Sequence, residues 1–129
     1  MITEELIQKC LNYFAGHGAG CSNYRRASSL WESSGHDVAA MLEHEDAEEW
    51  RCYAACDVTG LTRAKRWELV RDIQNEEWRC RAACYVPDFA SARRWELVRD
   101  IRDEYWRSLA ADYVPDLTDK QRAELRREQ

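Results

Sequence analysis

Glu76-Glu77-Trp78-Arg79-Cys80-Arg81-Ala82-Ala83-Cys84 repeats, 28 residues later, the stretch Glu48-Glu49-Trp50-Arg51-Cys52-Tyr53-Ala54-Ala55-Cys56. A third, more divergent copy is Glu104-Tyr105-Trp106-Arg107-Ser108-Leu109-Ala110-Ala111-Asp112. The segment that follows is kept more strictly. Arg66-Trp67-Glu68-Leu69-Val70-Arg71-Asp72-Ile73 recurs unchanged from Arg94 to Ile101 and fades at Arg122-Ala123-Glu124-Leu125-Arg126. A period of this length marks stacked helical units, because one such unit cannot cover its own apolar face.

Each unit reads as helix, turn, helix. In the leading helix, Trp50, Ala54 and Val58 recur at i, i+4 and i+8, one side of a helix. In the trailing helix, Leu69, Val70 and Ile73 make a second stripe flanked by Trp67. Val86-Pro87-Asp88 and Val114-Pro115-Asp116 end the leading helices, since Pro cannot continue a helix and pushes its predecessor to extended backbone. The Ala-Ala pair lets neighbouring helices approach closely. In the last unit Trp95 becomes Ala123 and Val98 becomes Arg126, the polar turn expected of a terminal repeat.

A degenerate copy lies upstream, with Tyr24-Arg25 in place of Trp50-Arg51, Ser28-Ser29 for the paired alanines, and Val38 to Leu42 for the trailing helix. Thr3 to Phe14 reads as a separate helix with Thr3 as its N-cap, followed by a connector at Gly16-His17-Gly18-Ala19-Gly20. The expected architecture is all-α: a short right-handed α-solenoid of helix-turn-helix repeats with an N-terminal helix. It forms one domain over 1–129, divided into 1–21 (N-terminal helix and Gly-rich loop), 22–45 (degenerate repeat), 46–73, 74–101, and 102–129 (capping repeat). The array is expected to be complete within the chain.

The pattern Glu-x-Trp-Arg-x-x-Ala-Ala, then Pro-Asp-(Phe/Leu), then Trp-Glu-Leu-Val-Arg-Asp resembles HEAT-like repeats. It is most similar to the leucine-rich-repeat variant, over roughly Tyr24 to Glu128. The resemblance implies an architecture and no particular function, because members bind varied partners.

Composition narrows the functional classes. The chain has 129 residues, 19 basic and 24 acidic, with a formal net charge of −5. Up to Glu49 only Lys9, Arg25 and Arg26 oppose nine acidic residues, leaving 16 basic and 15 acidic beyond. A polybasic nucleic-acid binder is excluded by that balance. No apolar run is long enough to span a bilayer, and Met1 to Glu5 lacks the hydrophobic core of a secretory signal. Six cysteines without a signal point to reduced thiols in a cytoplasm.

No nucleophile elbow, P-loop or zinc-protease motif is present, so the chain is read as non-enzymatic. Cys52/Cys56 and Cys80/Cys84 are i, i+4 pairs in successive units, and four thiolates from adjacent helices could hold zinc or an iron–sulfur cluster. Ser108 and Asp112 replace them in the third unit, which favours small buried side chains and no cofactor. Cys10, His17, Cys21 and His36 are ligand types at a spacing that matches no finger. Repeated Glu68/Arg71, Glu96/Arg99 and Glu124/Arg127 read as exposed i, i+3 pairs. The basic residues opening the trailing helices (Arg63, Lys65, Arg66; Arg93, Arg94; Lys120, Arg122) form a stripe able to touch phosphate.

Faithful positions are scaffold, so function is sought where the copies disagree. Those positions are Tyr53/Arg81/Leu109 and Asp57/Tyr85/Tyr113, a Tyr- and Arg-rich ridge on the leading helices of the kind enriched at interface hot spots. Glu43, Glu45 and Asp46 add an acidic segment suited to steering a basic partner. The expectation is a cytoplasmic protein–protein interaction module with a basic macromolecular partner and no membrane or cofactor; pairing with a second copy through the end faces stays open. In size and charge the chain resembles the small acidic all-α inhibitors, anti-CRISPR proteins among them, that phages and mobile elements use against nucleic-acid enzymes. That resemblance implies a basic, nucleic-acid-handling target. A thiolate metal or iron–sulfur protein and a nucleic-acid-contacting solenoid are the alternatives.

Overall fold

The computed structural model describes residues 1–16 and 22–127, apart from the side chains of residues 23 and 24. Among the described residues there are nine α-helices and no strand: α1 (Glu4–Gly16), α2 (Ser22–Ser33), α3 (Val38–Glu43), α4 (Ala47–Asp57), α5 (Arg63–Val70), α6 (Glu76–Tyr85), α7 (Ser91–Val98), α8 (Glu104–Tyr113) and α9 (Asp119–Arg126). Helices pair as α4–α5, α6–α7 and α8–α9, the three 28-residue units. The leading helices α2, α4, α6 and α8 pack directly one on the next, whereas α5, α7 and α9 make little direct contact with one another. The leading helices thus form one continuous, closely packed layer.

The apolar periodicity becomes the core as expected. Trp50, Ala54, Ala55, Val58, Leu69, Val70 and Ile73 are buried, and so are Ala82, Ala83, Val86, Leu97, Val98 and Ile101 in the next unit. The leading helices α4, α6 and α8 each stop at a valine in extended conformation (Val58, Val86, Val114). The chain then turns through a left-handed residue: Gly60 at φ 80°, Asp88 at 68° and Asp116 at 64°. Asp tolerates that region because its short carboxylate can bond locally, which explains how one unit uses Gly where two use Asp. N-caps follow the sequence too: Thr3, Thr62, Asn75, Asp103 and Thr118 each accept a backbone N–H of the first turn, and Thr118 with Gln121 forms a capping box.

Arginine supplies the polar framework. Arg51, Arg79 and Arg107 donate from Nε to the carbonyls of Leu69, Leu97 and Leu125 at 2.8, 2.8 and 3.0 Å. In return Arg66, Arg94 and Arg122 donate from Nη1 to the carbonyls of Ala55, Ala83 and Ala111, each at 2.6 Å. Each helix of a unit therefore has its C-terminal carbonyls satisfied by a cation from the other helix, a placement the helix dipole also favours. The stripe expected at the start of the trailing helices is corrected accordingly. Arg66 and Arg94 are buried, Arg122 is half-buried, and all three are spent on carbonyls, so none is available to phosphate. Of the expected i, i+3 ladder only Arg71–Glu68 forms, at 3.5 Å. Glu96 pairs with Arg93 and Arg99 with its neighbour Asp100.

Units are joined by carboxylates. Glu48 accepts from the backbone N–H groups of Gln74 and Asn75 at 2.7 and 2.9 Å, and Glu76 repeats this on Arg102 and Asp103 at 2.7 and 3.0 Å. The first-turn acid of one leading helix thus seats the N-terminus of the next. Glu76→Ala should cost about 1–2 kcal/mol in urea unfolding, since two charge-assisted bonds go but water can reach the freed amides. Faster amide exchange confined to Arg102 and Asp103 is the local signature expected.

At the amino-terminal end α2 departs from the aligned register. Its buried residues are Ala27, Leu30 and Trp31, while Arg25 and Ser29 are exposed. Because α2 packs on α1 as well as on α3 and α4, it buries a face that the three regular leading helices do not. The N-terminal helix contributes Leu6, Ile7, Cys10, Leu11 and Phe14 to the core and reaches across the stack. Lys9 donates to the Gly60 carbonyl at 3.0 Å, and the Met1 ammonium pairs with Glu68.

Candidate binding surface

The repeat sets a fixed face of each leading helix against the next one. Cys52 Sγ donates to the Trp78 carbonyl and Cys80 Sγ to the Trp106 carbonyl, both at 3.7 Å. The cysteines are therefore stacking residues. In the last unit this face has no following helix in the structure, and the copies there are polar: Ser108 and Asp112 are exposed, and Asp112 pairs with Arg126 at 2.9 Å. Two departures from the repeat, Cys84 to Asp112 and Val98 to Arg126, thus form one ion pair.

Cys52 and Cys80 are raised above the ordinary thiol value, first by interaction with the neighbouring Cys56 and Cys84 and then by burial. Cys84 is lowered by its interaction with Cys80, with the charges of Arg94 and Arg81 adding to it. Among the described residues no three His, Cys, Asp or Glu side chains come together as a metal cluster. Cys10 lies in the core, where burial pushes its thiol up to about 12. His36 stacks on Trp31 with ring centroids 5.1 Å apart, and His17 and Cys21 lie outside the described residues.

The ridge at the non-repeating positions is brought together on the leading-helix layer, in two parts. Tyr53 is half-buried against Trp78, ring centroids 5.7 Å apart. Arg81 lies between two repeat tryptophans, its guanidinium carbon 5.5 Å from the Trp78 centroid and 6.0 Å from that of Trp106, and Glu77 accepts from its Nε at 3.0 Å. Trp106 meets Tyr105 edge-on at 4.7 Å. The series Tyr53–Trp78–Arg81–Trp106–Tyr105 crosses from unit to unit. Beyond it Arg81, Tyr85, Tyr105, Trp106, Leu109 and Tyr113 line a recess of about 160 Å³, with Cys84 beside them.

Exposure separates the two parts. Tyr53, Arg81 and Leu109 are half-buried and serve the stack, whereas Tyr85, Tyr105 and Tyr113 are 66, 63 and 66 % exposed. Asp57 is exposed at the end of α4 and outside the recess lining. Tyr105 and Trp106 were not among the expected contact residues. Tyr105 occupies the place of Glu49 and Glu77, so disagreement between copies marks it by the same rule as its neighbours; Trp106 gives no such signal. Glu43, Glu45 and Asp46 are exposed on the α3–α4 connection. They are not a bare acidic patch, since Asp46 shares a cleft with Arg25 and Arg26, and Arg26 pairs with Glu49.

Fold and surface define a helical-repeat protein whose leading-helix layer carries a tyrosine-rimmed recess. Comparison with known proteins returns no match, whether to family models, to curated proteins or to solved structures. Among the described residues no helix is long and apolar enough to cross a membrane.

Proposed function

We propose that the protein is a non-enzymatic binding module that grips a partner protein through the recess between α6 and α8. One observation carries the reading: the three exposed tyrosines among the described side chains, Tyr85, Tyr105 and Tyr113, line the same recess. Tyrosine offers a large amphipathic surface at small entropic cost and is enriched where binding energy concentrates. The floor beneath is held rigid by Trp106 and Arg81, so the site is preorganised. The exposed Glu43, Glu45 and Asp46 favour a partner with a basic region. A nucleic-acid-handling protein fits that description, and occupying its basic surface would make this chain an inhibitor.

The test is affinity capture with wild type beside Tyr85→Ala/Tyr113→Ala. Two lost anchors at about 2 kcal/mol each should weaken a specific partner by two to three orders of magnitude, with an unchanged circular-dichroism melt. Retention of the same partners by the folded variant would overturn the proposal.

A further inference from the structure

Between the trailing helices α5 and α7 lies a groove of about 550 Å³. Arg63, Arg71 and Arg93 line it, over Trp67 and Phe89 and beside Glu68. Arg63 opens α5 and Arg71 follows its last residue, eight residues on and about 12 Å along the axis. Arg93 stands in the first turn of α7 with its guanidinium carbon 4.3 Å from the Trp67 centroid, a cation–π contact that holds it over the groove floor. The ion pairs these arginines make are long and exposed, 3.5 Å to Glu68 and 3.4 Å to Glu96, and hold little energy. Arg63 makes no ion pair among the described residues. The one carboxylate in the lining, Glu68, is also paired with the Met1 ammonium. A protein of net charge −5 therefore carries a local cluster of three guanidiniums against Glu68, which is shared with the Met1 ammonium, and Glu96 at its edge.

We propose that this groove is a contact site for the phosphates of a single-stranded nucleic acid. Planar guanidiniums match phosphate in charge and fork geometry, and a reach of about 12 Å suits a backbone that presents successive phosphates. A protein partner is disfavoured because the apolar floor is closed: Trp67 is 8 % and Phe89 4 % exposed, so no pocket accepts an anchoring side chain. For the same reason no base stacks here, and the contact reads backbone without sequence. It stands on observations separate from the tyrosine recess and survives or fails independently of it.

The test is fluorescence anisotropy of a labelled single-stranded oligonucleotide against the full chain across a salt series. Three phosphates neutralised give a slope of log K against log salt near −2, a loss of about 20-fold between 50 and 200 mM salt. Arg63→Glu/Arg71→Glu should abolish binding, and the milder Arg63→Gln should reduce the slope by about 0.7. Tyr85→Ala/Tyr113→Ala should bind like wild type. Absence of binding at low salt, binding indifferent to the arginine variants, or equal displacement by poly-glutamate would each overturn the proposal, the last by making an acidic protein segment the occupant.

Discussion

Arg94→Ala should destabilise the protein by about 3–4 kcal/mol, an effect expected of a core residue rather than a cation. The side chain is 7 % exposed and donates to the Ala83 carbonyl at 2.6 Å and the Val86 carbonyl at 2.9 Å. No carboxylate shares the site among the described residues; the charge is balanced by the C-terminal carbonyls of α6. Removing it strands two buried acceptors at about 1–3 kcal/mol each and loses the packing of the aliphatic stem. Urea denaturation monitored by tryptophan fluorescence should show a lower midpoint at unchanged slope. Arg94→Lys should recover less than half of the loss, since one ammonium cannot span both carbonyls in the fork geometry. Its neighbour is the control: Arg93 is exposed, covers Trp67 and makes a long surface ion pair with Glu96, so Arg93→Ala should cost about 1 kcal/mol or less. Equal losses at the two positions would show that the carbonyl clamp does not stabilise the stack.

The arginine clamp also shows where reading the sequence reached its limit. Apolar periodicity, the Pro-Asp breaks and the N-caps depend on local chain geometry, so helices, units and core could be read directly. What a charged side chain does depends on what faces it across space. Arg66 and Arg94 sit on helix sequences that look as solvated as Arg63 and Arg93, yet the first pair is buried and the second exposed. A signal did exist: Arg51, Arg66 and Glu48 recur at 28-residue intervals in all three units, whereas Arg63 becomes Ser91. Fidelity marks scaffold for charges as it does for tryptophans. Disagreement marks surface less cleanly. Tyr85 and Tyr113 are exposed as that rule expects, but Tyr53 is half-buried and fills the space before Trp78 as Arg81 fills the space before Trp106.

The repeat tryptophans Trp50 and Trp106 carry this distinction furthest, and their alanine variants should separate stability from binding. Trp50 is 2 % exposed, closed in where α2 and α3 pack on α4, whereas Trp106 is half-buried and floors the recess. Trp50→Ala should cost about 3–5 kcal/mol, the range for emptying a large aromatic site in a packed core. Its indole N–H is buried without a hydrogen-bond partner. Trp50→Phe should therefore cost far less than alanine, because the smaller ring removes an unsatisfied donor along with the volume it loses. Trp106→Ala should lower stability by only about 1–2 kcal/mol, since solvent already reaches the ring. It should nevertheless abolish partner capture, because Arg81 and Tyr105 both rest on that ring and lose their fixed positions with it. Unfolding curves and capture assays on the two variants should thus rank them in opposite orders. Matching orders would mean that the recess is only the unfinished edge of the core.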